Sequence, residues 1–327
     1  MRVGVVGPLG PERFAENVCD ALRRMGHQVL RLGPGRPDSR CQKLTEIRSF
    51  CRRLLPSIDE RPQLHITRAA LENGCEVVIN VDLRLMPEVV SRLKRSGVRV
   101  AFWFPDHVAN LDRQLMLAAP YDALFFKEPH LVERLKNLLG LPVYYLPEAC
   151  NPRWHRPLVP AGTEPHLVVA GNMYPFRLRA IKRLAAKGIP LRLYGPKPPR
   201  WIDDTDLRYE HTGRYVSGDE KARLFRSAAG VLSTMHPAEI AGVNGRLFQA
   251  AGCGAAVLTE YRSSLRELFD LGHEVLAYND LDELVEQAER LLNEDGLTAR
   301  LGDAAARRAH TDHTHDLRVA TILEKMS

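Results

Sequence analysis

The residues best placed for chemistry lie in one stretch, Gly242-Val243-Asn244-Gly245-Arg246-Leu247-Phe248-Gln249-Ala250-Ala251-Gly252-Cys253-Gly254. A loop rich in Gly and Asn opens a helix, and Gly252 and Gly254 close it before the strand-like run Ala255 to Thr259. The first backbone N–H groups of a helix have no partner within it. Together with the helix dipole they form an anion site. Arg246, in the first turn, would add a charge-assisted bond to phosphate. A glycine before a helix is also an ordinary cap, so this stretch gains weight only from what accompanies it.

A second candidate is Ala101-Phe102-Trp103-Phe104-Pro105-Asp106-His107, a hydrophobic strand that ends on an acid and an imidazole. Doubly wound domains carry their reactive groups at the C-terminal ends of strands. Asp106 or His107 can therefore serve as a base or as an orienting group, and Asp106 can equally cap the next turn. Asp82 and Glu128 also end strands and read as caps. Gly7-Pro8-Leu9-Gly10 follows the first strand without the Gly-x-Gly-x-x-Gly spacing of a dinucleotide site; it is expected to shape one side of a ligand cleft instead. His310, His313 and His315 lack the Cys or carboxylate spacing that completes a zinc set, and a partly exposed helix start is expected there.

These residues need rigid elements behind them. Apolar runs at Val3 to Val6, Gln28 to Leu32, Glu76 to Val81, Val98 to Phe104, Ala123 to Phe126 and Pro142 to Leu146 read as strands of a first domain. Helical spacing links Phe14, Val18, Leu22 and Met25, then Leu44, Ile47, Cys51 and Leu54, then Leu131, Leu135 and Leu138. The alternation restarts with strands at Leu167 to Ala170, Leu191 to Tyr194, Gly230 to Thr234, Ala255 to Thr259 and Val275 to Tyr278. Helices are expected over Lys221 to Ser227, Gly245 to Cys253 and Leu281 to Leu292. Continuous apolar strands separated by helices imply parallel sheets covered on both faces. Prolines 147, 152, 157, 160 and 165 mark the linker. Two α/β domains are thus expected, residues 1–157 and 158–308, with residues 309–327 after them.

Composition narrows the class. At 327 residues the chain exceeds what one core usually serves, and 45% hydrophobic with 26% charged residues is globular. No apolar run approaches the ~20 residues of a membrane helix, and the first residues read as a buried strand rather than a signal peptide; a cytoplasmic location is expected. The six cysteines, Cys19, Cys41, Cys51, Cys75, Cys150 and Cys253, are scattered like reduced core thiols. The net charge of +6 is spread among acidic residues, which disfavours nucleic acid as a partner.

The stretch from Leu232 to Leu292 resembles the donor-binding part of group 1 glycosyltransferases, particularly the spore-maturation-type branch. Those proteins carry Asn-x-Arg-x-Phe-Glu-x-x-x-Cys-Gly, then Leu-x-Glu-x-Phe, then Gly-x-Glu. This chain has Asn244, Arg246, Phe248, Gln249, Cys253 and Gly254, then Leu265, Glu267 and Phe269, then Gly272 and Glu274. The departure is Gln249, where the family usually has the glutamate that holds the ribose hydroxyls; glutamine accepts one hydrogen bond and donates another. Val169 to Arg177, Leu193-Tyr194-Gly195 and His211 to Val216 are similar to further donor segments of the family. Leu146-Pro147-Glu148-Ala149 with Asn151-Pro152 is similar to its interdomain stretch, and Ala309 to Leu323 to its terminal helix. An aromatic-Pro-Asp strand end beside the cleft also resembles Phe104-Pro105-Asp106.

The resemblance implies a GT-B type α/β fold, two doubly wound Rossmann-like domains facing across a cleft, with the terminal helix packed back on the first. The donor-binding residues would be Asn172, Arg177, Tyr194, Gly195, Arg214, Tyr215, Val216, His236, Gly242, Val243, Asn244, Gly245, Arg246 and Gln249. The catalytic candidates would be Asp106 and His107. The expected reaction is metal-independent transfer from a nucleoside diphosphate sugar, a UDP-sugar before a GDP- or dTDP-sugar, with the cationic helix start in a metal's place and no cofactor. The acceptor, a glycan, protein or small molecule, stays open. A nucleotide-sugar epimerase and a catalytically silent nucleotide-sugar-binding module are the alternatives.

Overall fold

The computed structural model describes residues 1–33, 57–82, 84–111, 114–159, 162, 164–198, 201 and 210–327. The helical run from Leu44 to Leu54 and residues Cys41 and Cys51 lie outside them. The chain divides into two compact units, one made of Met1–Pro147 with His315–Ser327, the other of Glu148–Thr314.

The first unit contains β1 (Arg2–Val6), α1 (Phe14–Arg24), β2 (Gln28–Arg31), α2 (Ser57–Glu72), β3 (Val77–Asn80), α3 (Pro87–Arg95), β4 (Arg99–Phe104), α4 (Leu115–Ala118), β5 (Ala123–Phe126), α5 (Pro129–Leu139) and β6 (Val143–Tyr145). Its strands form one parallel sheet in the order β2-β1-β3-β4-β5-β6. Strand side chains alternate between the two faces, so Phe102 and Phe104 enter one core with Val78, Val100 and Phe126. Trp103 enters the other with Val5, Leu22, Ile79 and Phe125. The residues at 315–327 complete that second core, contributing Val319, Ile322 and Met326. Trp103 is fully buried, meets Phe14 edge-on at a centroid distance of 4.5 Å and donates from Nε1 to Leu146 O at 3.4 Å.

The second unit contains β7 (Glu164–Ala170), α6 (Pro175–Ala186), β8 (Leu191–Tyr194), β9 (Glu210–His211), α7 (Gly218–Ser227), β10 (Ala228–Ser233), α8 (Gly245–Gly252), β11 (Val257–Glu260), α9 (Leu265–Leu268), β12 (Val275–Tyr278), α10 (Leu281–Asn293) and α11 (Leu297–Asp312). Its sheet, also parallel throughout, runs β12-β11-β10-β7-β8-β9. Counted from β7 this is the order 3-2-1-4-5-6, which reverses direction between β7 and β10. Such a reversal opens a crevice beyond the C-terminal ends of the two strands.

The last helix, α12 (His315–Lys325), belongs to the first unit and packs on α1, where Arg24 grips Asp316 through Nε and Nη2 at 2.9 and 2.8 Å.

Two expectations differ from what is found. The sequence reading divides the domains after Pro157 and after Arg308, whereas the units part after Pro147 and Thr314. The segment 148–157 is tied into the second unit: Cys150 N donates to His313 O at 2.8 Å, and fully buried His155 accepts from Asn151 N at 2.9 Å. Prolines 152 and 157 therefore shape a packed turn, and at the far end α11 continues unbroken to Asp312. The histidines are not an exposed helix start either. His313 and His315 are buried, His310 Nε2 lies 2.9 Å from Gly252 O, and His313 Nε2 lies 2.6 Å from Leu268 O. Cys19, Cys75, Cys150 and Cys253 are buried thiols outside any disulfide. Among the described residues no helix is long and apolar enough to cross a membrane.

Trp103→Ala is expected to lower the unfolding free energy of the first unit by about 3–5 kcal/mol through transfer and cavity costs. Urea unfolding followed by near-ultraviolet circular dichroism checks this; a loss below about 1 kcal/mol would contradict the packing described.

Candidate active site

The switch point of the second sheet is held by two backbones in close approach. Gly171, just past β7, donates from N to Tyr194 O at 2.8 Å, and Gly195 donates to Arg214 O at 2.7 Å. A side chain at position 195 would put its Cβ 2.0 Å from Gly171 O, and φ there is +133°, so only glycine fits. This contact draws the loops after β7, β8 and β9 together. Asn172 donates to Tyr174 Oη at 3.0 Å and accepts from the Tyr215 hydroxyl. Arg214 is turned elsewhere: its guanidinium is bound by Glu220 of α7, Nη1 to Oε2 at 3.0 Å. Val216 is partly buried and packs on the core.

Two arginines converge on the same spot. Arg177 of α6 donates through Nε to Thr234 Oγ1 at 2.9 Å and through Nη1 to Asn172 O at 2.6 Å. A Cβ placed on Gly171 would lie 3.0 Å from Arg177 Nη1 and 3.9 Å from Arg246 Nη2. Burial and then the like charge of Arg246 pull the Arg177 pKa down to about 10. An anion between the guanidiniums would relieve both penalties.

At α8 the structure corrects the sequence reading. Gly245 N donates to Glu148 Oε1 at 2.8 Å, Arg246 N to the Asn244 side chain at 3.0 Å, and Leu247 N to Asn244 O at 3.3 Å. The backbone donors expected to meet an anion are therefore already spent, by a carboxylate and by the cap residue itself. What α8 offers a ligand is the Arg246 side chain and its dipole. Asn244 is fixed in turn, donating to Thr234 O at 2.9 Å and accepting from Ser233 Oγ at 3.2 Å. Gly242 and Val243 are buried in the loop that delivers it.

Gln249 lies one turn along the helix and steers Arg246. Its Oε1 accepts from Arg246 Nη1 at 2.8 Å, with Lys221 Nζ at 3.5 Å, while the Arg246 guanidinium stands 5.6 Å over the Phe225 ring. Lys221 is almost fully buried, 3.1 Å from His155 Nε2. His236 accepts from Ala238 N at Nδ1, 3.0 Å away, which places the proton of its neutral ring on Nε2; its own backbone N–H binds Glu239 Oε2 at 2.7 Å.

Glu148, His155, Lys221 and Thr234 escape the sequence reading as site residues. Glu148 and His155 sit in a proline-rich run that reads as linker, and Lys221 occupies a helix whose pattern suggests a solvated lysine. The one usable signal was glycine at position 245, where a Cβ would fall 2.3 Å from Glu148 Oε2.

In the first unit, Asp106 and His107 follow β4 as expected. Asp106 accepts from His107 N at 2.8 Å and from Asn110 Nδ2 at 2.5 Å, and His107 Nε2 lies 3.8 Å from Asp106 Oδ1. Asp82 is held by Arg84, whose N and Nη2 reach it at 3.0 and 2.9 Å. A Cβ on Gly7 would meet Val81 at 2.4 Å, so this glycine serves strand packing.

The sequence holds two Asp-x-Asp pairs, a spacing that could serve a divalent cation, Asp204-Thr205-Asp206 and Asp280-Leu281-Asp282, so metal independence does not follow from the sequence. The first lies outside the described residues. In the second, Asp280 caps α10 by accepting from Asp282 N and Glu283 N, each at 2.9 Å, and Asp282 pairs with Arg183.

Residues 175–324 match a family described as glycosyl transferase-like. Sucrose-phosphate synthase from Thermosynechococcus elongatus is similar in structure, with a TM-score of 0.69 and 14% identity over 99% of this chain and 97% of that one. A glycosyltransferase from Rickettsia africae gives 0.68 and 12% over 99% and 97%. Anabaena HepE in complex with UDP gives 0.69 and 12% over 100% and 99%, and its complex with UDP-glucose 0.67 and 12% over 99% and 99%. No curated protein sequence matches. The two doubly wound parallel sheets expected from the sequence are the fold these structures share.

Gly245→Ala is expected to destabilise the second unit while Glu148 is present, because the new methyl enters the carboxylate. With Glu148→Ala alongside, the same change should be neutral or stabilising by up to about 1 kcal/mol, since alanine is the better helix residue. A double-mutant cycle read by thermal or urea unfolding measures the coupling; strict additivity would remove the contact.

Proposed function

We propose that this protein is a glycosyltransferase that takes a sugar from a nucleoside diphosphate sugar, with a UDP-sugar as the donor, and passes it to a hydroxyl-bearing acceptor. The observation that carries this reading is the convergence of Arg177 and Arg246 beside Gly171, at the reversal of a 3-2-1-4-5-6 sheet. The family match over residues 175–324 supports it, as do the UDP and UDP-glucose complexes of a protein with the same fold.

Breaking the bond between the anomeric carbon and the diphosphate oxygen leaves negative charge on the departing phosphate. Preplaced guanidiniums stabilise that charge without reorganising, and more strongly in a partly buried site than in water. Arg246 is aimed by Gln249 and Phe225, Arg177 by Thr234 and Asn172. Two fixed cations can serve where other transferases use a metal, and on this reading transfer is metal-independent. Tyr215 and Asn172 stand beside Arg177 and are assigned to the nucleoside end of the donor.

Arg246→Ala and Arg177→Ala are each expected to weaken UDP binding by about 1.5–3 kcal/mol, the range for a hydrogen bond to a charged group. Calorimetry on folded variants tests this, and unchanged affinity in both would sink the assignment. UDP-glucose turnover should persist in EDTA. Turnover that vanishes there and returns with magnesium or manganese would refute metal independence. Interconversion of the nucleotide sugar without any acceptor would turn the reading to an epimerase.

On the same reading the proton of the acceptor goes to the pair at the end of β4, with His107 as base and Asp106 stabilising the imidazolium. His107→Ala should then reduce kcat about 10²–10⁴-fold with donor affinity intact. If the pair only shapes its turn, Asp106→Asn and His107→Ala will instead lower the melting temperature and leave turnover per folded molecule unchanged.

A further inference from the structure

A second group of donors, with Arg266 at its centre, lies away from the paired arginines. Along β12, the strand at one edge of the second sheet, an open cavity of about 320 Å³ is lined by Tyr261, Arg266, Asn279, Gln287 and Arg290 together with small and apolar residues such as Leu271 and Leu276. Its size is at the low end of small-molecule pockets, about 300–1,000 Å³. Every charged residue in the lining is an arginine, and none is an acid. The Arg266 guanidinium stands over the Tyr261 ring at 5.5 Å, and among the described residues it makes no hydrogen bond or ion pair. Stacking on an aromatic face fixes a guanidinium in plane while its N–H donors stay available. Gln287 spends its Oε1 on Arg290 Nη1 at 2.9 Å, which turns its amide N–H groups toward other acceptors. Arg290 Nη2 keeps only a long contact of 3.4 Å to Glu294, whose other oxygen is bound by Arg300 at 3.0 Å.

The adjoining cavity on the other side of Arg266, about 520 Å³, differs in charge. It is lined by Asp270 and Glu274, and its Arg308 is already held by Asp312 at 2.7 Å and by Leu268 O at 3.0 Å. An anion would meet two lining carboxylates there, whereas the carboxylates nearest the β12 cavity, Glu294 at 3.4 Å from Arg290 Nη2 and Glu283 bound to Asn279 Nδ2, do not line it. From these observations we infer that the β12 cavity is a second ligand site, which binds a small phosphomonoester with its phosphate on Arg266 and Arg290. Two guanidiniums match the charge and the several acceptor oxygens of a phosphate dianion. The volume left over, larger than a phosphate ion, takes a sugar-sized organic part against Tyr261 and the strand. This site does not depend on the donor reading, because β11 and β10 separate β12 from β7. Neighbouring strands stand about 4.8 Å apart.

Calorimetric titration with ribose 5-phosphate and with inorganic phosphate tests the inference in four proteins. These are the unchanged chain, Arg266→Ala, Arg266→Lys, and the doubly substituted Arg177→Ala, Arg246→Ala. Ribose 5-phosphate should bind the unchanged chain and the double variant alike. Arg266→Ala should weaken it about tenfold or more, and Arg266→Lys should recover part of the loss, because lysine keeps the charge but not the fork. Arg266 is exposed, so its replacement should leave the melting temperature unchanged. UDP titration separates this site from the donor site: Arg266→Ala should not alter UDP affinity, whether that affinity is strong or absent. Equal affinity in Arg266→Ala, loss of binding in the double variant, or no saturable binding of ribose 5-phosphate to the unchanged chain would each overturn the proposal.

Discussion

The second unit depends on holding two positive charges where they repel. Arg177 and Arg246 come from different helices and reach the same point beside Gly171, and neither would rest there if its own surroundings did not hold it. Thr234 and Asn172 fix one guanidinium, and Gln249 and Phe225 fix the other. The glycines at 171 and 195 let the backbones close far enough to bring these partners in. The depressed basicity of Arg177, caused by burial and then by the charge of Arg246, is the electrostatic trace of that arrangement.

The helix start at α8 divides its labour differently from the simplest anion-binding helix. Its first N–H groups are satisfied from within the unit, by Glu148 and Asn244, so the helix is stable without a ligand. On the proposed reading, recognition is left to a side chain. That makes position 246 more decisive than the glycines around it, and it assigns Gly245 to a steric role. A carboxylate so close to Arg246 also tempers the local positive potential.

Much of this was legible in the sequence. Uninterrupted runs such as Ala101 to Phe104 can only be strands buried on both faces, and these strands appear within one or two residues of where the apolar pattern sets them. Asn244 as cap and Arg246 in the first turn follow from residue type and spacing alone. The two-residue strand at Glu210–His211 was not legible, because it has no apolar pattern and exists only through its pairing with β8. Glu148 and Lys221 stayed hidden for a related reason. Charged residues read as surface, and only tertiary packing shows that these two sit on a helix start and beside a buried imidazole. The turn at 148–157 shows the limit of composition: prolines announce irregular backbone but not which core it joins.

The closing of the first unit by its last thirteen residues has a consequence for synthesis. Phe14 and Trp103 emerge early from the ribosome, but the helix that covers them emerges only after the whole second unit has been made. During vectorial synthesis the earlier unit must therefore wait, with part of an aromatic core uncovered, while the later one already has all its strands. Completion of the fold thus runs against the direction of the chain. The exposed face of β4 is the surface that a nascent-chain chaperone would meet in that interval, and a truncation just before His315 would leave it permanently open.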